Sequence, residues 1–199
     1  MKFSSEKVAL GRHETFHLRF SWLSKGFAAF QRNNEVFDDA DSATVTLGVG
    51  KNMVASIRYW MRAAQVIEPI NDHPTELGEY LFDDEVGQDP FLEDPGTLWV
   101  LHWLLASNTE LATSIAWFFS KYHKTNFDQN ELRAALSTYL QEDVKANRRP
   151  ASSTLKNDIS VIARLYAKTS GALLAEDALD SPLSELGLIV ENGKSSYTS

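Results

Sequence analysis

Between Thr44 and Trp60 the chain runs Thr44-Val45-Thr46-Leu47-Gly48-Val49-Gly50-Lys51-Asn52-Met53-Val54-Ala55-Ser56-Ile57-Arg58-Tyr59-Trp60, and few backbones accommodate that order. A first helix is expected to end near Leu47, with Gly48 making the tight turn and Val49 plugging the corner. A second helix then starts near Lys51 and sends Val54, Ile57 and Met61 back into a core. Apolar residues five and eight positions after Val49 let two short helices cross at a steep angle, which is a helix-turn-helix. The outward face is predicted to carry Lys51, Asn52, Ala55, Ser56 and Tyr59, short or hydrogen-bonding side chains of the kind that enter a major groove. Lys51 and Asn52, at the helix start, are the foremost base-edge or phosphate contacts. Ser56 and Tyr59 lie a turn further on, and Arg58 and Arg62 suit phosphate. The bland alternative is an ordinary corner in a helical bundle.

The charge map bears on that choice. The formal net charge of −8 argues against a protein that coats nucleic acid nonspecifically. The charge is unevenly spread, however: residues 1–68 hold nine basic and seven acidic side chains, and residues 69–120 hold ten acidic and no basic ones. Residues 121–199 hold ten of each. The helix-turn-helix sits in the mildly basic stretch, which suits DNA contact through one face only. Absence of cysteine excludes disulfides, thiolate zinc sites and cysteine nucleophiles. No segment resembles a signal peptide or is apolar for long enough to span a bilayer, so a cytoplasmic protein without membrane attachment is expected.

Elsewhere helical spacing dominates. Leu23, Phe27 and Phe30 mark an amphipathic helix, and Asp41 or Ser42 is the expected N-cap of the first helix of the motif. Val66 to Ile70 looks like a short strand, half of a wing, and Thr75 caps a helix over 76–81. Trp99, Leu101, His102, Trp103 and Leu104 make a helix apolar nearly all round, which predicts a buried hub. A further helix follows over 109–122, and Asp128 with Glu131 forms a capping box for the next, to about Gln141. Ser153 is the expected cap of a periodic helix carrying Leu155, Ile159, Ile162 and Tyr166. Asn192-Gly193 signals a hairpin. No Gly-rich phosphate loop follows a strand. The reading is a mainly α fold: helix-turn-helix or winged-helix lobes packed on a helical core, with one or two small β-hairpins. The lobes divide as 1–82, an acidic loop and core helices over 83–125, and a second winged-helix-like lobe over 126–199.

Three further groups carry candidate chemistry. Lys145, Arg148 and Arg149, followed by Ser152, Ser153, Thr154 and Lys156 at a helix start, form a second DNA-facing surface, since helix N-termini favour anions. Asp89, Glu93 and Asp94 are candidate ligands for Mg2+, with Asp83, Asp84 and Glu85 upstream; a solvated acidic loop with Asp94 capping the next helix is the plainer alternative. His13 and Glu14 are candidate catalytic groups, although neither has metal-site spacing, and His102 reads as a hydrogen-bonded core residue. The five tryptophans read as core material.

Gly11-Arg12-His13-Glu14-Thr15-Phe16, Leu47 to Val54 with Ile57-Arg58-Tyr59-Trp60, and Asp89-Pro90-Phe91-Leu92-Glu93-Asp94-Pro95-Gly96-Thr97-Leu98-Trp99 with Leu101-His102-Trp103 occur in one order. With Ser181-Pro182-Leu183 and Leu186-Gly187-Leu188-Ile189, these blocks resemble the bacterial domain-of-unknown-function family 4007. The resemblance implies a place beside DNA phosphorothioation genes, closest in kind to the DNA-nicking component of single-strand sulfur-modification systems that defend against phage. It implies double-stranded DNA as partner, together with a cysteine desulfurase, an ATPase and a sulfur-transfer protein; a homodimer stays open. Mg2+ is the cofactor if the protein nicks DNA, and otherwise none is expected. A noncatalytic winged-helix repressor or adaptor, or a pure assembly scaffold, remains the alternative. Family members are expected to continue past Ser199, so the chain corresponds to a short or truncated member, and a nicking centre need not lie within it. The resemblance carries no catalytic residue onto a numbered position.

Overall fold

The computed structural model describes residues 1–147, 149–167, 181–193 and 196–199. The chain splits into two compact units: Arg12–Leu104, and Met1–Gly11 together with Leu105–Ser199. This division cuts the chain elsewhere than the boundaries at 82 and 125 expected from sequence. None of the helices described is long and apolar enough to cross a membrane.

The unit 12–104 contains α1 (Trp22–Arg32), α2 (Ala40–Leu47), α3 (Lys51–Ala63), α4 (Glu76–Phe82) and most of α5 (Pro95–Ser107). Leu23 and Phe27 of α1, Leu47 of α2 and Ile57, Trp60 and Met61 of α3 are wholly buried, as the 3.6-residue period requires. α1 crosses α3 closely at Gly26, where a Cβ would overlap Met61 and come within 2.8 Å of Ile57 Cγ2. Trp60 satisfies its indole N–H by donating to the Phe16 carbonyl at 3.2 Å.

Three local expectations are corrected in this unit. Asp39, not Asp41 or Ser42, caps α2, its carboxylate accepting from Asp41 N at 3.0 Å. Residues 66–70 form no strand: Ile67 makes one isolated bridge to Pro74, and a turn held by Glu68 N to His73 O at 2.8 Å follows. Pro69 offers no N–H for a ladder, and Asp72 takes a left-handed φ of 59°. No first wing exists here. α5 is not the buried hub: Leu98, Leu101 and Leu105 face inward, but Trp99 is 50% and Trp103 72% exposed. A helix apolar all round can thus leave one apolar face uncovered within its own unit. Thr75 does cap α4, accepting from Gly78 N at 3.0 Å.

The other unit contains α6 (Thr113–Lys121), β1 (Asn126–Asp128), α7 (Gln129–Glu142), α8 (Ser152–Tyr166), a 3₁₀ turn (Pro182–Leu186), β2 (Val190–Gly193) and β3 (Ser196–Thr198). Asp128 caps α7 through Asn130 N and Glu131 N at 2.7 and 2.9 Å, the acceptor half of the expected capping box. The predicted hairpin is the antiparallel pair β2–β3, and β1 adds to its far side, giving the order β1-β3-β2. Phe127 pairs with Tyr197, and their rings stack at 5.8 Å. β1 is three residues long, too short for any period to announce it. α8 begins at Ser152 with Ala151 as N-cap and no side-chain cap bond, so Ser153 lies inside the first turn rather than capping it. The N-terminal segment straps this unit: Ala9 N donates to Thr113 Oγ1 at 3.0 Å and Gly11 N to the buried Asp158 carboxylate at 2.7 Å.

Candidate nucleic-acid interface

The turn of the helix-turn-helix forms as its residues demand. Gly48 ends α2 at φ 61°, ψ 36°, a left-handed conformation that costs a residue with a Cβ. The Thr44 carbonyl accepts from both Gly48 N and Val49 N, closing the helix end. Val54, Ile57 and Met61 point inward. Ser42, Val45, Thr46, Gly48, Gly50, Lys51, Asn52 and Ala55 are left exposed along α2, the turn and the start of α3. Lys51 Nζ lies 2.7 Å from Asp41 Oδ1, both side chains largely in solvent. The hydrogen bond and charge of Asp41 raise the Lys51 pKa, so Lys51 is a permanent cation at the helix start. Asp39 is held below the usual carboxylate value, first by the Asp41 backbone N–H and then by the Ser42 side chain.

Lys25 belongs to the same face although it lies on α1: its Nζ reaches 4.0 Å from the position a Cβ would take on Gly48. The sequence offered only the apolar stripe of α1, and nothing in that stripe says which polar residue overhangs the turn. Lys25, Lys51 and Asn52 thus bracket an open turn.

Four other residues expected on this face are employed elsewhere. Ser56 is fully buried, its hydroxyl donating to the His13 carbonyl at 2.9 Å. Tyr59 is half-buried, edge-on to Trp60 at 4.9 Å and to His13 at 6.1 Å. Arg58 Nε and Arg62 Nε grip opposite oxygens of Asp72 at 2.7 and 2.5 Å, and Arg58 also donates to the Phe37 carbonyl at 3.1 Å. One turn apart on α3, these arginines converge on a carboxylate that is itself buried. They anchor the 68–74 loop rather than presenting free guanidinium groups to phosphate. From sequence they looked like surface cations because Asp72 stands in a loop whose return path the chain order does not reveal.

In the other unit, Arg149, Ser153 and Lys156 are exposed around the start of α8, whereas Thr154 is half-buried, with its Cγ2 3.2 Å from where a Cβ on Gly11 would sit. Arg148 lies outside the described residues. The 15-residue α8 has no side-chain cap, so its first-turn N–H groups are not met by an N-cap side chain.

The acidic stretch does not form a metal cage. Asp89 is buried and its two oxygens accept from Glu93 N at 2.8 Å and Asp94 N at 3.2 Å. Asp94 Oδ1 accepts from Gly96 N at 2.7 Å at the start of α5, and Glu93 is exposed. Among the described residues no group of three or more His, Asp or Glu side chains is arranged to hold a metal ion. The plainer alternative accounts for Asp89 and Asp94: they shape a turn and a helix start.

His13 is a core residue, 3% exposed and stacked on Trp60 at 6.4 Å, with its Nδ1 accepting from Thr15 N at 3.1 Å. Glu14 beside it is exposed, and Glu14 and Thr15 both have positive φ. His13 therefore braces the middle of α3, at Ser56 and Trp60, rather than standing open to solvent. His102 is half-buried and edge-on to Trp99 at 5.7 Å, and burial lowers its pKa.

The molecule is thus a mainly α protein with one small antiparallel sheet, in which an open helix-turn-helix corner presents two lysines and an asparagine. By its sequence profile over residues 10–199, the chain belongs to the family described as protein of unknown function (DUF4007). It is similar to a magnesium ion-bound SspB crystal structure, with TM-score 0.81 and 32% identity, covering 96% of this chain and 59% of that one. A second SspB crystal structure gives TM-score 0.80 and 32% identity over 98% of this chain and 61% of that one. The chain therefore spans about three fifths of the length of these SspB chains. Comparison with curated proteins gives no match.

Proposed function

We propose that this chain is the duplex-DNA-binding part of an SspB-like protein in a bacterial DNA phosphorothioation defence system. The observation that carries the reading is the α2–α3 corner, where Lys51, Asn52 and Ala55 leave the first turn of α3 exposed beside Thr46, Gly48 and Gly50. Lys25 adds a cation beside the turn. Arg149, Ser153 and Lys156 give a second phosphate-facing region, supported by the order α6, β1, α7, α8, β2, β3. That order, with a sheet arranged β1-β3-β2, is the one winged-helix domains use. Binding serves strand nicking in this reading, with a cysteine desulfurase, an ATPase and a sulfur-transfer protein as working partners.

The magnesium ion in one related SspB structure supports a metal-dependent step in such proteins. Asp89, Glu93 and Asp94 do not fit that ion, so no nicking step is assigned to them. A noncatalytic adaptor or repressor built on the same DNA-binding face is the second reading, favoured by the way Asp89 and Asp94 are consumed by backbone N–H groups.

Supercoiled plasmid incubated with the chain and magnesium separates the two. Duplex binding with relaxation that EDTA abolishes is the nickase outcome. Duplex binding without relaxation is the adaptor outcome, and failure to bind any duplex rejects the proposal.

A further inference from the structure

Between α7 and the start of α8 lies a groove of about 390 Å³ lined by Arg133, Ala134, Ser137, Arg149, Pro150, Ser152 and Leu155. Its volume falls in the range of small-molecule sites. Arg133 is half-buried, and no hydrogen bond or ion pair joins its guanidinium, or that of Arg149, to another described residue. None of the described residues that line the groove is a carboxylate. Glu131, the acidic residue nearest in sequence, is paired with Lys124 instead. Two like charges facing one cleft repel each other and lose hydration there, a cost that an anion between them offsets. Arginine's planar fork matches phosphate oxygens two at a time.

The remaining lining suits the same ligand. Ser137 Oγ accepts from Gln141 Nε2 at 3.1 Å, which fixes the hydroxyl and leaves its proton to donate into the groove. Ser152 adds a hydroxyl in the first turn of α8, and the buried Leu155 with Pro150 and Ala134 gives an apolar floor that a sugar could cover.

We propose that this groove is a phosphate-binding site in which Arg133 and Arg149 clamp one phosphoryl group and Ser137 and Ser152 donate to its remaining oxygens. Arg133, which no motif in the sequence marks, is its central residue. The phosphoryl group comes either from the DNA backbone or from a free nucleotide. The site shares Arg149 with the second phosphate-facing region of the proposed function and rests on that reading there, but it does not require the α2–α3 face to bind DNA.

The test uses the full chain, Arg133→Gln and Arg149→Gln, with unfolding midpoints measured to show that each variant folds. Arg149 is exposed, so its variant keeps the test usable if Arg133→Gln does not fold. Binding of inorganic phosphate and of dAMP is followed by NMR shifts of the Arg133, Ser137 and Ser152 amides, and binding of a short duplex by fluorescence anisotropy. Saturable amide shifts with dAMP, weakened at least tenfold in either variant, establish the site with a free nucleotide as source. A duplex affinity weakened several-fold, with a salt slope shallower by about one per arginine removed, establishes the site with backbone as source. If folded variants bind phosphate, dAMP and duplex as the parent does, or if no anion shifts these amides and duplex affinity is unchanged, the proposal is overturned. Lys51→Ala with Asn52→Ala isolates the two ideas: it removes the α2–α3 contact and leaves the phosphate titration intact.

Discussion

Arg58, Asp72 and Arg62 show how a single side chain changes its meaning when a loop folds back. Each arginine alone could serve a phosphate, yet together they enclose one buried carboxylate, and the loop that carries Asp72 is fixed by them. Removing the carboxylate leaves two half-buried cations facing each other, so Asp72→Ala should cost about 2–3 kcal/mol of stability. An unchanged urea midpoint would show that the cluster is a surface ornament. His102 gives a pH-dependent prediction. Burial lowers its folded pKa, so below about 6.5, the ordinary value in the unfolded chain, the unfolded state binds more protons and stability declines with acid. His102→Gln should flatten that part of the stability curve between pH 7 and pH 5, read from urea midpoints against the parent at each pH. An identical slope in both proteins would remove His102 from the pH response.

Among the elements, the α2–turn–α3 corner was the most legible, because glycine at a left-handed position and apolar residues at a helical period leave little choice. Gly48→Val should therefore cost about 1–2 kcal/mol, since a β-branched residue is forced to positive φ. A loss below a few tenths, measured by thermal unfolding, would mean the turn relaxes to another shape. α7 was legible from its capping Asp128; the β2–β3 hairpin was legible as a hairpin, but Asn192-Gly193 lies within β2, with Gly193 paired to Ser196, rather than at its turn. What failed was non-local. Ser56 occupies an apparently outer position of α3, yet the chain segment carrying His13 covers it, and that segment arrives from 43 residues away. β1 exists only because β3 returns to pair with it. The composition of α5 predicts burial, but composition holds no information about surroundings, and Trp99 and Trp103 are left exposed.

Taken whole, the chain concentrates its acidic excess in residues 69–120, although Asp39 and Asp41 stand at the helix-turn-helix corner and Asp41 pairs with Lys51. The 52 residues from 69 to 120 contain no lysine or arginine, so the cations that draw in a duplex are Lys25 and Lys51 at the corner and Arg133, Arg149 and Lys156 around the start of α8. Association should therefore be oriented and steeply dependent on salt, with a slope set by the few phosphates engaged and not by the net charge of −8. The affinity of the folded chain for a short duplex, measured by fluorescence anisotropy for the parent and for Lys51→Ala with Asn52→Ala, tests the α2–α3 face most directly. The parent is expected to bind in low salt, and the double variant, with an unchanged unfolding midpoint, to lose at least tenfold in affinity. Equal binding by the parent and the folded double variant would contradict it.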